Sequence, residues 1–370
     1  MKKVLFLIHD LGNGGAEKVL VNLVNNMDRS KFDITVISLF GGGVNVQFLK
    51  PHVRYKKIFK KEFPANSKIM KLFSPKFLHK FCVKDTYDIE VSYLEGPTAR
   101  IISGCQNPDT KLVSWIHCKM DTEQAAAVGF RNFEEAKKCY SNFDYTACVS
   151  RWVRDYFVKT FKFEKPIGVL YNTIEADEIR EKSLQQIDDI VFDKEVFNIV
   201  SVGRVIAVKA FMRLARIHNK LLDEGVNNHV YILGVGNEQP EIEKYLAANN
   251  LTESFTFLGY KTNPYKYVKN CDLYVCSSLS EGFSTSVTES LIVGTPVVTT
   301  LCSGMKEMLG ESDEYGIVTE NNEDVLYEGI KKMLTTPGML ESYAEKALER
   351  GKKFSTEKTV KAVKDTLLSL

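Results

Sequence analysis

The sequence predicts an α/β protein built from two consecutive doubly wound domains. Short apolar stretches alternate with helical ones along the chain, which is typical of parallel sheets with both faces covered by helices. The alternation is interrupted once, after Asn172, and then resumes. The chain has 370 residues, and this length suits two domains of about 100–200 residues each.

The first half predicts an N-terminal domain over 1–173. The opening KKVLFLIHD is typical of a buried strand, and GNGGAEKVLVNLVNNM predicts a glycine-rich turn followed by an amphipathic helix. A further helix is expected over 150–160. The other predicted strands are FDITVISLF (32–40), TYDIEVSYL (86–94), TKLVSWIHC (110–118), YTACVS (145–150) and IGVLYN (167–172).

The second half predicts a C-terminal domain over 174–354. Its first residues are polar and acidic up to Asp193 and predict a linker. A helix at 355–370 is expected to pack back on the first domain. Doubly wound sheets bind ligands at the carboxyl ends of their strands, so two facing sheets predict an interdomain cleft. Strands are predicted at 196–203, 229–236, 254–260, 271–278 and 295–300, and helices at 209–224, 238–250 and before Gly294.

Composition excludes several classes of protein. The chain has 49 Lys and Arg against 47 Asp and Glu, which argues against a uniformly basic nucleic-acid-binding protein. No apolar run approaches the ~20 residues needed to span a bilayer, and the run after Lys3 is too short for a signal peptide. The eight cysteines lack metal-ligand spacing and predict free thiols in a reducing cytoplasm. We expect no metal and no cofactor.

The glycine-rich turn is a near miss for a dinucleotide-binding motif. Gly12, Gly14 and Gly15 follow a strand and precede a helix, but Glu17 stands where the third glycine of that motif belongs. This departure argues against an NAD-dependent dehydrogenase. A tight turn without a ligand remains as plausible here as a contact with phosphate or sugar.

Two cations follow the first strand of the second domain. Arg204 and Lys209 lie five residues apart at its carboxyl end, where a planar guanidinium and an ammonium can hold a diphosphate between them. The alternative is a pair of solvated surface cations.

The most specific pattern is SSLSEGFSTSVTESLIVGTPVV, residues 277–298. It predicts a strand end, a turn with Glu281, and a helix that begins near Ser284 and contains Glu289. The free amides and positive dipole end of such a helix suit a phosphate. Glu281 can then reach the group attached to that phosphate, and Glu289 can accept two hydrogen bonds from a ribose diol. On spacing alone, two solvated carboxylates are equally plausible.

These motifs together resemble the retaining glycosyltransferases of family 4. The resemblance rests on GRVIAVKAF, YILGVGNE, FTFLGY and SLSEGFSTSVTESLIVGTPVV in the second half. In the first half it rests on GNGGAEKV, the strand ending WIH, and YNTIE at the domain junction. It implies the GT-B fold, in which two Rossmann-like domains face an interdomain cleft.

The resemblance also implies roles for matching residues. Arg204 and Lys209 match the residues that hold the donor's diphosphate. Glu281 matches the first glutamate of the family's paired motif, close to the donor sugar, and Glu289 matches the second, which holds the nucleotide ribose.

Five further positions match the family. Ser284 and Thr285 match the helix start whose amides meet the diphosphate, and Tyr260 falls where the family lines the base pocket. Gly15 matches the loop that approaches donor and acceptor. His117 matches a histidine near the reacting sugar, although a lone histidine after an apolar strand by itself indicates a structural role.

The chain departs from the family pattern at two positions. Ala210 stands where the family usually has glycine after the lysine, and alanine tolerates positive φ poorly. Ser284 replaces a frequent Pro or Gly and can still cap a helix. Outside the pattern, Glu95 also ends a strand. Its carboxylate could contact an acceptor, but we favour a position in solvent.

The segment 51–84 has ten Lys and Arg against one acidic residue, Glu62, with phenylalanines between the lysines. This pattern suits an anionic membrane surface. Single-stranded nucleic acid could use the same pattern, and a solvated helix face with buried phenylalanines is the structural alternative. We favour the membrane and expect no nucleic acid.

The sequence therefore predicts a cytoplasmic, metal-independent retaining glycosyltransferase, peripheral on the inner face of the plasma membrane. We expect it to move a sugar from a nucleotide-diphosphate donor, first of all a UDP-sugar, to a lipid-linked or saccharide acceptor in bacterial surface polysaccharide biosynthesis, such as capsule or lipopolysaccharide. Same-face attack is favoured, because no carboxylate stands out as a nucleophile. The alternatives are a GT-B epimerase or phosphorylase and a non-catalytic nucleotide-sugar binding protein.

Overall fold

The computed structural model describes residues 1–12, 14–302 and 304–370. The chain divides into two compact units: unit 1 is Met1–Ile174 with Thr356–Leu370, and unit 2 is Glu175–Ser355. Each unit contains one parallel β-sheet flanked by helices. The predicted α/β architecture of two doubly wound sheets is thereby confirmed.

Unit 1 has a seven-stranded parallel sheet. Its strands are β1 (Lys2–Ile8), β2 (Phe32–Phe40), β3 (Arg54–Phe59), β4 (Ile89–Ser92), β5 (Lys111–Ile116), β6 (Tyr145–Cys148) and β7 (Ile167–Val169), in the order β3-β2-β1-β4-β5-β6-β7. Its helices are α1 (Gly15–Asn26), α2 (Asn66–Leu72), α3 (Pro75–Cys82), α4 (Pro97–Ile102), α5 (Glu123–Ala126), α6 (Phe133–Tyr140) and α7 (Arg151–Phe161). The order reverses direction between β1 and β4, which is where such sheets bind ligands.

Unit 2 has a six-stranded parallel sheet. Its strands are β8 (Phe197–Val202), β9 (Asn228–Leu233), β10 (Phe255–Gly259), β11 (Leu273–Cys276), β12 (Val297–Thr300) and β13 (Ile317–Thr319), in the order β10-β9-β8-β11-β12-β13. Its helices are α8 (Ala176–Ser183), α9 (Phe211–Asp223), α10 (Gln239–Ala248), α11 (Tyr265–Lys269), α12 (Thr285–Val293), α13 (Met305–Leu309), α14 (Glu323–Thr335) and α15 (Met339–Gly351). Here the order reverses between β8 and β11.

Two edge strands were not predicted. β3 lies inside the basic segment 51–84, and its sequence RYKKIF shows little apolar character because it pairs only with β2 at the sheet edge. β13 has three residues and pairs only with β12. Edge strands are short or charged more often than central ones, so the apolar runs that reveal central strands are missing.

The acidic segment expected to be a linker contains a helix instead. α8 buries Ala176, Ile179 and Ser183 and belongs to unit 2. Asp177 and Glu178 lie in its first turn, and Arg180 and Lys182 lie in its last turn, positions at which the helix dipole stabilises these charges. Polarity alone therefore did not distinguish this solvated helix from a connecting segment.

The C-terminal helix α16 (Thr356–Ser369) belongs to unit 1. Val360, Val363 and Leu367 form its buried face. Thr356 Oγ1 donates a hydrogen bond to the Ile174 carbonyl at 2.8 Å, which holds the start of α16 against the end of the unit's first segment. Across the described parts of the chain, we find no helix with the length and apolar character required to cross a bilayer.

Candidate functional site

The candidate site of unit 2 lies at the carboxyl ends of β8 and β11. These strands are parallel neighbours at the point where the sheet order reverses. The loop after β8 contains Arg204 and Lys209, and the loop after β11 contains Glu281. Because parallel neighbours end at the same edge of a sheet, the fold brings together two loops that are far apart in sequence.

The two loops meet in an ion pair. Lys209 Nζ donates a hydrogen bond to Glu281 Oε1 at 2.6 Å, and Ser278 Oγ donates to the same oxygen at 2.7 Å. The side chains of Lys209 and Glu281 are only 21% and 13% exposed. Burial opposes the charged form of Lys209, but the Glu281 carboxylate outweighs it and raises the pKa of the lysine. The lysine is therefore a cation at neutral pH.

Two further hydrogen bonds join the two loops. Leu279 N donates to the Val208 carbonyl at 2.8 Å. Ser277 Oγ donates to the Lys209 carbonyl at 2.8 Å. Sequence reasoning did not single out Ser277 or Ser278; the signal was the small polar run SSLS directly after an apolar strand.

A second layer of contacts supports the loop that contains Glu281. Asn321, which follows β13, donates through Nδ2 to the Leu279 carbonyl at 2.9 Å. Arg213 of α9 donates through Nη1 to Asn321 Oδ1 at 2.9 Å. Neither residue was predicted, because their contribution depends on where β13 ends and α9 begins in space.

Arg204 differs from Lys209 in its surroundings. Its side chain is exposed and has no hydrogen-bond or ion-pair partner within 1–12, 14–302 and 304–370. Ala210, next to Lys209, adopts the left-handed conformation with φ of 51°, so the loop keeps its turn despite the methyl group. The guanidinium is therefore free to meet an anion.

The helix predicted after Glu281 is present. α12 begins at Thr285, and Ser284 caps it by accepting a hydrogen bond from Val287 N at 3.4 Å. Glu289 lies one turn into this helix and is buried. The structure therefore places a positive helix end directly after the Glu281 loop.

Tyr260 follows β10, at the same carboxyl edge of the sheet but two strands away from β8. It is half-exposed. The preceding Gly259 has φ of 71°, a left-handed conformation in which the chain turns away from β10.

The candidate residues of unit 1 follow β1, β4 and β5, which are neighbours in its sheet. Gly15 is the first residue of α1. A Cβ atom at Gly14 would collide with the Glu17 carboxylate. The absence of a side chain at Gly14 therefore leaves room for the Glu17 carboxylate.

His117 and Glu95 are in direct contact. Glu95 accepts a hydrogen bond from His117 N at 3.0 Å and is half-buried, so the expectation that its carboxylate lies in solvent was wrong. The cause is the adjacency of β4 and β5. Burial lowers the pKa of His117 to about 4, although Glu95 acts in the opposite direction. The imidazole is neutral at pH 7, and its Nε2 has no partner among the described residues.

Two family models match the chain. The model described as Glycosyltransferase Family 4 matches residues 13–178. The model described as Glycosyl transferases group 1 matches residues 183–350.

A relative that matches along its whole length is also a glycosyltransferase. The chain is 29% identical over 378 residues to the N-acetylgalactosamine-N,N'-diacetylbacillosaminyl-diphospho-undecaprenol 4-alpha-N-acetylgalactosaminyltransferase of Campylobacter jejuni, and the match covers 99% of each chain.

Solved structures share the fold at low sequence identity. HepE of Anabaena in complex with UDP-glucose has a TM-score of 0.76 and 17% identity, and the match covers 100% of both chains. Sucrose-phosphate synthase of Thermosynechococcus elongatus has a TM-score of 0.80 and 15% identity over 100% of this chain and 99% of that one. The chain therefore belongs to the glycosyltransferases: it combines a family 4 domain and a group 1 domain in the GT-B fold, and it is a sugar-transferring enzyme.

Proposed function

We propose that this glycosyltransferase moves a sugar, with retention, from a UDP-sugar to a lipid-linked acceptor in bacterial surface polysaccharide biosynthesis. The name of the Campylobacter relative specifies an acceptor on diphospho-undecaprenol, and HepE binds UDP-glucose. The observation that carries the proposal is the Lys209–Glu281 pair beside the start of α12. It combines a buried cation, a carboxylate and a helix dipole at one sheet edge.

The donor's diphosphate binds to cations and backbone amides of unit 2. Lys209 and the exposed Arg204 supply positive charge, and the amides at Ser284 and Thr285 supply hydrogen bonds. These groups are preorganised to stabilise the charge that develops on the leaving nucleoside diphosphate. The donor phosphate then takes over part of the interaction that Lys209 makes with Glu281.

The remaining residues recognise the rest of the donor. Glu289 accepts hydrogen bonds from the ribose diol, and Tyr260 lines the base pocket. Glu281 contacts the donor sugar. His117, which is neutral, exchanges a hydrogen bond with a sugar hydroxyl, and Gly15 allows the backbone to approach the substrates.

Retention follows from attack on the face that the leaving group departs from. The departing phosphate accepts the proton of the acceptor hydroxyl while the new glycosidic bond forms. The cations and amides around the phosphate hold it in position for this transfer.

The decisive experiment is a thermal-shift screen of UDP- and GDP-sugars with NAD as a control, followed by transfer to an undecaprenyl-diphosphate-linked acceptor. A shift with one UDP-sugar, and a product whose anomeric configuration matches the donor's, support the proposal. Free epimerised sugar would indicate an epimerase. A shift without transfer or slow donor hydrolysis would indicate a binding protein. Either result would overturn the proposal.

We further infer that unit 1 contacts the inner face of the plasma membrane through segment 51–84. Phe73, Phe77 and Phe81 are exposed, and their rings stack in sequence with centroids 5.0 and 6.5 Å apart. Leu72 beside them is 76% exposed. A contiguous exposed apolar patch is unusual in a monomeric soluble domain. The patch is also basic, because Lys76, Lys80 and Lys84 are exposed along the same stretch. These observations favour lipid over the alternative in which the phenylalanines are buried.

A further inference from the structure

Three metal-ligating side chains meet inside unit 1, away from the candidate residues of that unit. They are His79 of α3, Glu90 of β4 and Cys105, which follows α4. Their ligand atoms all lie within 4.8 Å of one another. The three residues have no motif spacing in the sequence, so only the packing of α3 and α4 beside β4 brings them together.

Glu90 is the feature that points to a cation. It is 2% exposed, and its neighbours in register on the flanking strands are Leu5 and Leu112. Its Oε2 lies 2.7 Å from His79 Nε2, but the contact of its Oε1 is a thiol, Cys105 Sγ, at 4.0 Å. A buried carboxylate is stable only when it is paired and hydrogen-bonded. Among the residues that the structure describes, Oε1 of Glu90 has only a weak sulfur donor.

The donor set selects the metal. An imidazole nitrogen, a thiolate sulfur and a carboxylate oxygen are the protein ligands that Zn²⁺ prefers, whereas Mg²⁺ and Ca²⁺ take oxygen ligands. Tetrahedral zinc places neighbouring ligand atoms about 3.3–3.8 Å apart. His79 and Glu90 would separate slightly and Cys105 would move inward. Cys105 is only partly buried, which leaves a path for a water molecule as the fourth ligand.

We propose that His79, Glu90 and Cys105 form a zinc-binding site in unit 1. Glu90 lies near the amino end of β4, while Glu95 follows its carboxyl end. The zinc site is therefore at the opposite edge of the unit 1 sheet from His117 and Gly15, and its role is structural. Zinc there links α3, which presents Phe77 and Phe81, to the central strand β4. The assignment does not depend on the proposed donor or acceptor.

Zinc binding is tested on the full-length chain after removal of metal by chelation. We expect one Zn²⁺ per chain in a titration against a chromophoric chelator. Glu90→Gln and Cys105→Ser each remove a ligand, so each should weaken binding by at least about 100-fold, the upper end of the loss when only a ligand's hydrogen-bond partner is removed. Cys118→Ser is the matched control, because Cys118 is exposed and outside the trio; it should bind zinc like the wild type.

Cobalt substitution gives a second readout, and its first result needs only the wild-type protein. Co²⁺ in the wild-type protein should show thiolate-to-cobalt charge-transfer absorption, which Cys105→Ser abolishes and Cys118→Ser retains. Three results would each overturn the proposal. The wild type could fail to bind zinc, Cys105→Ser could bind zinc as tightly as the wild type, or the cobalt spectrum could lack a thiolate band. Any of these results would leave an ordinary His79–Glu90 ion pair with a neighbouring thiol.

Discussion

Lys209 Nζ and Glu281 Oε1 lie 2.6 Å apart, although the two residues are 72 positions apart in the chain. Each sits on a loop at the carboxyl end of one of two adjacent strands. A mostly buried ion pair is weak evidence for stability, because desolvation offsets much of the attraction. We propose instead that the pair is a charged group that the donor's diphosphate contacts.

Replacing Lys209 with alanine should abolish most of the transfer activity. The variant removes a buried cation from the leaving group, and loss of one preorganised electrostatic contact lowers turnover on the order of 100–1,000-fold. Lys244→Ala is the control, since Lys244 is exposed on α10. Turnover is measured with the donor found in the thermal-shift screen, and circular dichroism checks the fold. Wild-type turnover in Lys209→Ala would contradict the diphosphate role.

Replacing Glu289 with glutamine should weaken recognition of the ribose. A charge-assisted hydrogen bond contributes about 1.5–3 kcal/mol, so UDP affinity should fall about 10–100-fold. Calorimetry with UDP and with its 2′,3′-dideoxy analogue separates this role from a structural one. The wild type should prefer UDP strongly, and the variant should bind both nearly equally. An undiminished preference for UDP in Glu289→Gln would show that the diol is held elsewhere.

Replacing Ala210 with glycine should stabilise unit 2. A left-handed conformation destabilises an L-residue by about 1–2 kcal/mol, and the greater freedom of glycine in the unfolded chain offsets about 0.4–1 kcal/mol of this. We expect the free energy of unfolding to rise by about 0.5–1 kcal/mol in urea denaturation. Ala247→Gly, in the exposed part of α10, should lower it by about 0.5–1 kcal/mol. Destabilisation by both substitutions would contradict strain at Ala210.

His117 should make the protein less stable at mildly acidic pH. Its pKa falls from 6.5 to about 4 on folding, so the unfolded chain binds a proton in this range that the folded chain does not. The stabilising contribution is complete above pH 6.5 and is lost by up to ~1.4 kcal/mol per pH unit as the pH falls towards the folded value.

The measurement compares thermal midpoints of the wild type and His117→Gln between about pH 7.5 and about pH 4.5. The midpoint should decrease less in the variant. Burial also lowers the pKa of His218 and His229, but both residues are present in both proteins and cancel in the comparison. Parallel decreases would show that His117 is not buried as a neutral group.

Charge reversal should weaken membrane binding. Lys76, Lys80 and Lys84 are exposed beside the phenylalanine stack, and each cation near anionic lipid contributes ~1 kcal/mol. Replacing all three with glutamate should reduce binding to phosphatidylglycerol vesicles on the order of 100-fold in low-salt co-sedimentation. Lys56 is a poorer choice, because it is paired with Asp85 at 2.5 Å.

The matched control reverses Lys244, Lys269 and Lys332, which are exposed lysines of unit 2. It makes the same change in net charge on a different surface. Equal losses in the two triple variants would attribute binding to overall charge rather than to segment 51–84.

The sequence by itself determined the features that depend on neighbouring residues. Apolar runs identified the central strands, Ser284 identified the start of α12, and Gly294 identified its end. In the structure, Gly294 has the left-handed φ of 86° that ends the helix. A helix cap and a buried strand each need only a few consecutive residues with the right side chains. The motifs that resemble family 4 are local for the same reason.

Only the tertiary structure decided which of these local features meet. The Lys209–Glu281 pair and the contact between Glu95 and His117 both depend on strand order, which joins residues through pairings across the sheet. The cationic β3 forms a strand because it pairs with β2 at the edge of the sheet. His79 reaches Glu90 because α3 packs beside β4. Such contacts arise from long-range packing, and no short stretch of sequence encodes them.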